Sequence, residues 1–178
     1  MLPCFLPYFL YHFALSLYHV TKRLHFFTEH IILFKNEIVQ FAKNRPDDVY
    51  VEWSVNEKAA MELAAGAAYA GARSMVTMKQ VGLNVASDPL MSLEYVGIKG
   101  GMVILVADDP GPISSQTEQD TRHFSRFSKL PCFDPSSAQE AYEMIQEAFE
   151  YSEEYGTPVF LRPTTRVCHG YASVTVKD

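Results

Sequence analysis

Cysteine is scarce in this 178-residue sequence: Cys4, Cys132 and Cys168 are the whole set, and no CxxC or Cys/His pair has metal-site spacing. That spacing excludes a zinc or iron–sulfur site built by the chain alone, and it excludes a disulfide framework. Sparse thiols suit a reducing, cytoplasmic setting. Positive charge is scarce as well. Lys and Arg number 15 against 21 Asp and Glu, a net charge of -6, so no basic field is available to hold nucleic acid through its phosphates. Internal repeats, Gly/Ser-rich linkers and phosphate-binding signatures such as GxGxxG or a P-loop are missing too. The length fits one domain with a sizeable core.

The first 35 residues differ from the rest. Residues 1–20 carry no Asp, Glu, Lys or Arg and are crowded with Phe, Tyr and Leu; Lys22 and Arg23 follow. A membrane span needs roughly 20 apolar residues, so length alone permits one. Pro3, Pro7, His12 and His19 interrupt it, however, and a secretory signal would want a basic start and a small-residue cleavage site. No strand or helix period is sustained through His30. The expectation for 1–35 is an atypical, disordered or artefactual leader, with a membrane anchor as the rival. Glu37 to Ala42 then reads as the end of an amphipathic helix stopped by Asn44-Arg45-Pro46.

From Val49 onward strands and helices alternate. Strands are expected at Val49–Trp53, Ser74–Met78, Met102–Val106, Leu130–Phe133 and Val159–Leu161. Helices are expected at Glu57–Ala72, Ser87–Val96 with Pro89 in the first turn, Ser115–Phe127, and Ser136–Tyr155 ended by Gly156. The unbroken apolar run Met102–Val106 marks a strand buried on both faces. Such alternation predicts an α/β fold: an open parallel sheet in three layers, with helices on both faces. Residues 36–170 form that domain and 171–178 a tail. Ligands in such sheets sit beyond the carboxyl ends of the strands, which points to the segments starting at Ser54, Lys79, Ala107 and Arg162.

Four constellations fall there. Ser54-Val-Asn-Glu57 opens a helix after a strand, and Ser-x-x-Glu is the spacing of a capping box, in which the two side chains serve each other's backbone amides. The rival reading puts Glu57 in a dry cleft, where a carboxyl kept from water can share a proton with a ligand nitrogen. These exclude each other only if Glu57 is committed to the cap. The helix that follows is short of bulk, with Gly66 and Gly71 among alanines, and allows close approach either of its own sheet or of a second subunit. Lys79-Gln-Val-Gly-Leu-Asn84 reads as a glycine loop. Asp108-Asp109-Pro-Gly runs into Ser114-Ser115-Gln116 and on to Arg122; the aspartates form a turn or bind a cation, and Ser114 or Ser115 caps the next helix. His123 and His169 are isolated.

Together these segments resemble one family. Glu57-Lys-Ala-Ala-Met-Glu-Leu-Ala-Ala-Gly-Ala-Ala-Tyr-Ala-Gly-Ala-Arg73, Val76-Thr-Met-Lys-Gln-Val-Gly-Leu-Asn-Val-Ala-Ser-Asp-Pro-Leu90, Val106-Ala-Asp-Asp-Pro-Gly111, Ser114-Ser-Gln-Thr-Glu-Gln-Asp120 and Arg162-Pro-Thr-Thr-Arg166 are similar to the pyrimidine-binding domain of indolepyruvate ferredoxin oxidoreductase alpha subunits. The resemblance implies that Glu57 is catalytic, contacting N1′ of the aminopyrimidine of thiamin diphosphate and so activating thiazolium C2 for attack on an aryl pyruvate. Carbon dioxide leaves, electrons pass through iron–sulfur clusters to ferredoxin, and the acyl group goes to coenzyme A. It further implies that Lys79, Gly82, Leu83 and Asn84 bind cofactor, and that Ser115, Gln116 and Arg122 line the substrate. The family's opening strand and Tyr-Pro-Gly-Thr-Pro-Ser-Ser-Glu-type loop are missing or replaced here. No Gly-Asp-Gly segment with a following Asn is present to hold magnesium and diphosphate, and no cysteine-rich tail to hold clusters. The expectation is therefore a fragment, inactive alone. Its partners would be a diphosphate-binding domain or subunit, the beta subunit and ferredoxin, with the bare Ala/Gly helix suited to pairing in a homodimer. Two rivals remain: the pyrimidine subunit of a split enzyme, and a membrane-tethered binding module.

Overall fold

Met102–Ala107 (β4) is apolar from end to end because it has a strand on each side and a helical layer on each face; all six residues are buried. Around it the computed structural model, which describes residues 24–28, 49–170 and 172–176, builds a six-stranded sheet. The strands are β1 (Leu24–Thr28), β2 (Val49–Trp53), β3 (Arg73–Lys79), β4, β5 (Cys132–Phe133) and β6 (Val159–Leu161). Their order is β2-β1-β3-β4-β6-β5, and every neighbouring pair is parallel. All strand carboxyl ends therefore lie along one edge. The helices are α1 (Glu57–Tyr69), α2 (Gln80–Val96), α3 (Thr121–Ser128), α4 (Ala138–Tyr155) and α5 (Thr165–His169).

Strand alternation divides the core. Val76, Met78, Met102, Ile104, Val106 and Phe160 point to the face covered by α1 and α2, where they meet Met61, Leu83, Leu90 and Leu93. Met75, Val103, Leu105, Val159 and Leu161 are equally buried but belong to the opposite face, which α4 covers with Tyr142, Ile145 and Phe149. This is the three-layer arrangement expected. The small side chains of α1 are used by its own domain on one side, Ala60, Ala64, Ala65 and Ala68 being buried, while Leu63, Gly66 and Tyr69 face outward.

Several boundaries differ from expectation. A strand lies inside the stretch 1–35: Leu24–Thr28 pairs with β2 on one side and β3 on the other. An inner strand of a parallel sheet needs no alternation, so five residues of an aromatic run give no period to read. The expected helix at 36–44 and the apolar stretch 1–23 lie outside the described residues. Helix α2 starts at Gln80 rather than Ser87, so Lys79–Asn84 is not a loop and Pro89 is interior. The proline withholds an amide from the carbonyl of Val85, which faces the exposed side of the helix. Helix α3 starts at Thr121, not Ser115. Helix α1 ends at Tyr69 and α4 starts at Ala138, capped by Ser137 and stopped by Gly156 in the left-handed region at φ 61°.

Candidate functional site

Glu57 stands at the carboxyl edge, four residues past the end of β2 and first in α1. The cap of that helix is Asn56, whose backbone is extended (φ -163°, ψ 171°) and whose Oδ1 accepts from the amide of Ala59 at 2.9 Å. The helix thus begins two residues later than a Ser54–Glu57 capping box requires. Ser54 Oγ is buried with no partner, and the Glu57 side chain makes no hydrogen bond or ion pair among the described residues. Glu57 is half-buried and uncommitted, so the capping reading is set aside. Asn56→Ala is expected to destabilise the chain by about 1 kcal/mol, and Ser54→Ala to be neutral or slightly stabilising, as measured by urea unfolding. A larger loss at Ser54 would restore the box.

Gly82, buried in the first turn of α2, lies directly against Glu57. A β-carbon built on it would stand 2.6 Å from Glu57 Cγ, 2.7 Å from Cδ and closer still to Oε1. Beside it Gln80 is only 1% exposed. Its Nε2 donates to the carbonyl of Thr117 at 3.0 Å, which fixes the orientation of the amide and leaves Oε1 buried without a donor. Lys79, at the end of β3, donates from Nζ to the carbonyl of Ser114 at 3.0 Å. With Ser115 and Thr165 it lines a recess of about 30 Å³, and Ser115 Oγ is also unpartnered. A buried polar atom without a partner costs free energy, so these three at one sheet edge call for a partner from water or from another molecule.

The edge at β4 and β6 is already satisfied. Asp109 Oδ2 accepts from the amides of Ile113, Ser114 and Ser115 at 2.9, 2.7 and 2.9 Å, and Oδ1 from Thr165 Oγ1 at 3.0 Å. Burial is the largest influence and pushes this carboxyl up, yet the amide of Ser114, the Thr165 hydroxyl and the amides of Ile113 and Ser115 together bring it down to about 2. Those donors curl the segment 113–115 back on Asp109, which is why no helix starts there. Asp108 accepts from Arg162 Nε at 2.6 Å, from the Thr121 amide at 2.9 Å and from the Thr121 hydroxyl. Arg162 reaches on to Asp134 at 3.1 Å. Arg122 grips Asp120 through Nε and Nη2 at 2.8 and 2.7 Å, and that pairing above all holds the Asp120 carboxyl at about 2. The two aspartates are thus hydrogen-bond and ion-pair acceptors, with their oxygens taken by donors rather than open to a cation.

Of the residues expected at the site, then, the fold brings Glu57 to Gly82 and Lys79 to Ser115. Leu83 turns away into the apolar core at 1% exposure, as helical spacing from Gly82 requires. Asn84 and Gln116 are exposed, and Arg122 is held by Asp120 rather than projecting to a ligand. Sequence reasoning missed Asn56, Gln80 and the Asp108–Arg162–Asp134 chain. The available signal for Arg162 was a charged residue immediately following the fully apolar strand Val159–Leu161; Gln80 follows the mixed strand Arg73–Lys79, which gives no such signal. Burial pushes the thiols of Cys132 and Cys168 up, to about 11 and 12, and Cys168 lies in α5. A cavity of about 470 Å³ opens at the far end of the edge, lined by Asp134, Ser136, Arg162, Thr164 and Arg166, and shares no residue with the surroundings of Glu57. Among the described residues no helix is long and apolar enough to cross a membrane.

A three-layer parallel sheet with helices on both faces, and an uncommitted carboxyl at the carboxyl edge of its strands, places the chain in the open α/β class. Comparison with known proteins makes it specific. Residues 30–178 match the family described as "Pyruvate flavodoxin/ferredoxin oxidoreductase, thiamine diP-bdg", and the chain belongs to that family. It is 58% identical over 121 residues to indolepyruvate oxidoreductase subunit IorA of Methanothermobacter thermautotrophicus, covering 68% of this chain and 20% of that protein. It is 54% identical over 130 residues to the same subunit of Pyrococcus horikoshii, covering 73% and 20%. The chain thus spans about a fifth of the length of the curated relatives it matches. Its fold is similar to a chain of 2-oxoglutarate:ferredoxin oxidoreductase from Magnetococcus marinus, with a TM-score of 0.74, 16% identity and coverage of 90% of this chain and 29% of that one.

Proposed function

We propose that this chain supplies the pyrimidine half of a thiamin diphosphate site in an aryl-2-oxoacid:ferredoxin oxidoreductase, and that Glu57 is its catalytic residue. The observation that carries this is the Glu57 carboxyl left free of its own helix cap at the carboxyl edge of the sheet. An aminopyrimidine offers a ring nitrogen and an exocyclic amino group. The residues present fit such a ring, since Glu57 can hold or release a proton at the nitrogen and the orphaned Gln80 Oε1 is an acceptor in want of a donor. Thiamin diphosphate, when bound, supplies the electron sink that lets a 2-oxoacid lose carbon dioxide. This chain positions the proton-carrying carboxyl and braces the adjoining edge of the sheet through Asp108, Asp109 and Arg162.

The remaining parts belong to other domains or chains. A diphosphate-binding unit brings magnesium, since the sequence holds no Gly-Asp-Gly segment, and cluster-bearing units carry electrons to ferredoxin while the acyl group leaves on coenzyme A. The outward face of α1, with Leu63, Gly66 and Tyr69 exposed, is the surface assigned to pairing with another subunit. Mixing the chain with the diphosphate- and cluster-bearing units of an indolepyruvate oxidoreductase from which this domain has been removed is expected to restore indolepyruvate-dependent ferredoxin reduction. Restored activity that favours pyruvate or 2-oxoglutarate would contradict the aryl assignment, and no restoration would contradict the role.

A further inference from the structure

We infer that Gly82 is a positioning residue: its bare α-carbon sets where the Glu57 carboxyl sits. The inference rests on the reading of Glu57 as the group that faces a ligand's ring nitrogen. A glycine inside a helix costs about 1 kcal/mol relative to alanine, so its presence in α2 calls for a reason. Backbone conformation is not that reason, because Gly82 is absent from the glycines of positive φ, namely Gly71, Gly97, Gly111 and Gly156. Space is. The three atoms nearest a β-carbon at Gly82 all belong to the Glu57 side chain.

The kind of neighbour decides what a methyl there would do. At Gly100 an added β-carbon would strike backbone, standing 2.6 Å from the carbonyl carbon of Ala72 and 2.7 Å from that of Gly71, so that glycine is needed for the fold. At Gly82 the obstacle is the Glu57 side chain from Cγ outward, which can swing aside about its own side-chain torsions. The helices themselves stay put: α1 and α2 share the buried contacts of the core, and Lys58 Nζ bridges to Asp88 at 2.7 Å across them. A methyl at position 82 therefore moves the carboxyl and leaves the scaffold. Gly82 acts through Glu57 and not by touching a ligand.

The test uses the full chain and reads the carboxyl directly. Glutamate is labelled with ¹³C at Cδ, and the Glu57 signal is assigned by its loss in Glu57→Gln. The probe ligand is 4-amino-5-hydroxymethyl-2-methylpyrimidine, titrated at millimolar concentration. For Gly82→Ala we expect a thermal midpoint equal to that of the parent or raised by about 2–4 °C, a displaced Glu57 signal, and affinity for the pyrimidine lowered about ten-fold or more. Shortening the acid in Gly82→Ala/Glu57→Asp makes room for the methyl and is expected to recover part of the affinity. An unmoved Glu57 signal would overturn the inference. So would a midpoint lowered by more than about 5 °C, since that would mark a glycine required by packing. If the parent chain binds no pyrimidine while the Glu57 signal still moves in Gly82→Ala, the positioning role stands and the ligand reading falls.

Discussion

Glu57→Gln is expected to lower turnover of the reconstituted oxidoreductase by about 10²–10⁴-fold, the range typical of losing one positioned proton carrier. The thermal midpoint of the chain should fall by no more than a few degrees, the effect of losing one carboxylate at the positive end of α1. The second half of that expectation follows from the cap: Asn56, and not Glu57, satisfies the amide of Ala59, so replacing the carboxyl by an isosteric amide removes no hydrogen bond from the fold. A glutamine still fits against Gly82 and still meets a ring nitrogen, but it cannot exchange a proton there. Binding is therefore expected to change far less than turnover, which separates a proton-transfer role from a binding one. Steady-state ferredoxin reduction beside calorimetric affinity measures both. A Glu57→Gln chain that keeps more than about a tenth of the parent turnover would remove Glu57 from the chemistry.

The second large effect concerns the scaffold. Arg162→Met is expected to destabilise the chain by about 3–5 kcal/mol in denaturant unfolding, because it leaves the carboxylate of Asp108 buried without its cation. Asp108 is fully buried, and the Thr121 amide and hydroxyl alone would remain to serve it. Arg162→Lys should recover only part of the loss. The guanidinium reaches Asp108 with Nε at 2.6 Å and Asp134 with Nη1 at 3.1 Å, a fork that a single ammonium does not span. In Asp108→Asn/Arg162→Met the uncompensated charge is gone, so the double variant is expected to be more stable than Arg162→Met alone. Purely additive losses would mean that the pair contributes little as a pair. The same network ties the chain termini of three strands together, since Asp108 also accepts the Thr165 amide at 2.7 Å through its backbone carbonyl.

What could be read before the fold was known follows from which signals are local. Strands β2 and β6 were legible to the residue, β3 and β4 to within one residue at either end: β4 and β6 are continuous apolar runs, and β2 and β3 are short β-branched and apolar stretches closed by turn and helix-start signals. Helix α4 was legible because Gly156 ends it and an apolar face runs through Tyr142, Ile145 and Phe149. The start of α2 was not. Gly82 lowers helix propensity and so reads as a loop, and the reason for it, the Glu57 side chain, lies on another element. The cap of α1 was ambiguous for a different reason: Ser54 and Asn56 are both good caps, and only the point at which β2 ends decides between them. The polar run from Ser114 looked helical until Asp109, five residues earlier, proved to hold its amides. Strand β1 was hidden in an aromatic stretch with no alternation. The family resemblance rested on Glu57 and its neighbours, and the fold sharpened it in one respect: of the residues carried over with Glu57, Gly82 lies directly against its side chain.

The central claim is that this chain holds one half of a thiamin diphosphate site. Calorimetry with thiamin diphosphate and magnesium tests it directly, first on the chain alone and then on the chain mixed with a diphosphate-binding unit. The account predicts no saturable micromolar binding to the chain alone and saturable binding to the mixture. Saturable micromolar binding to the chain alone would contradict it.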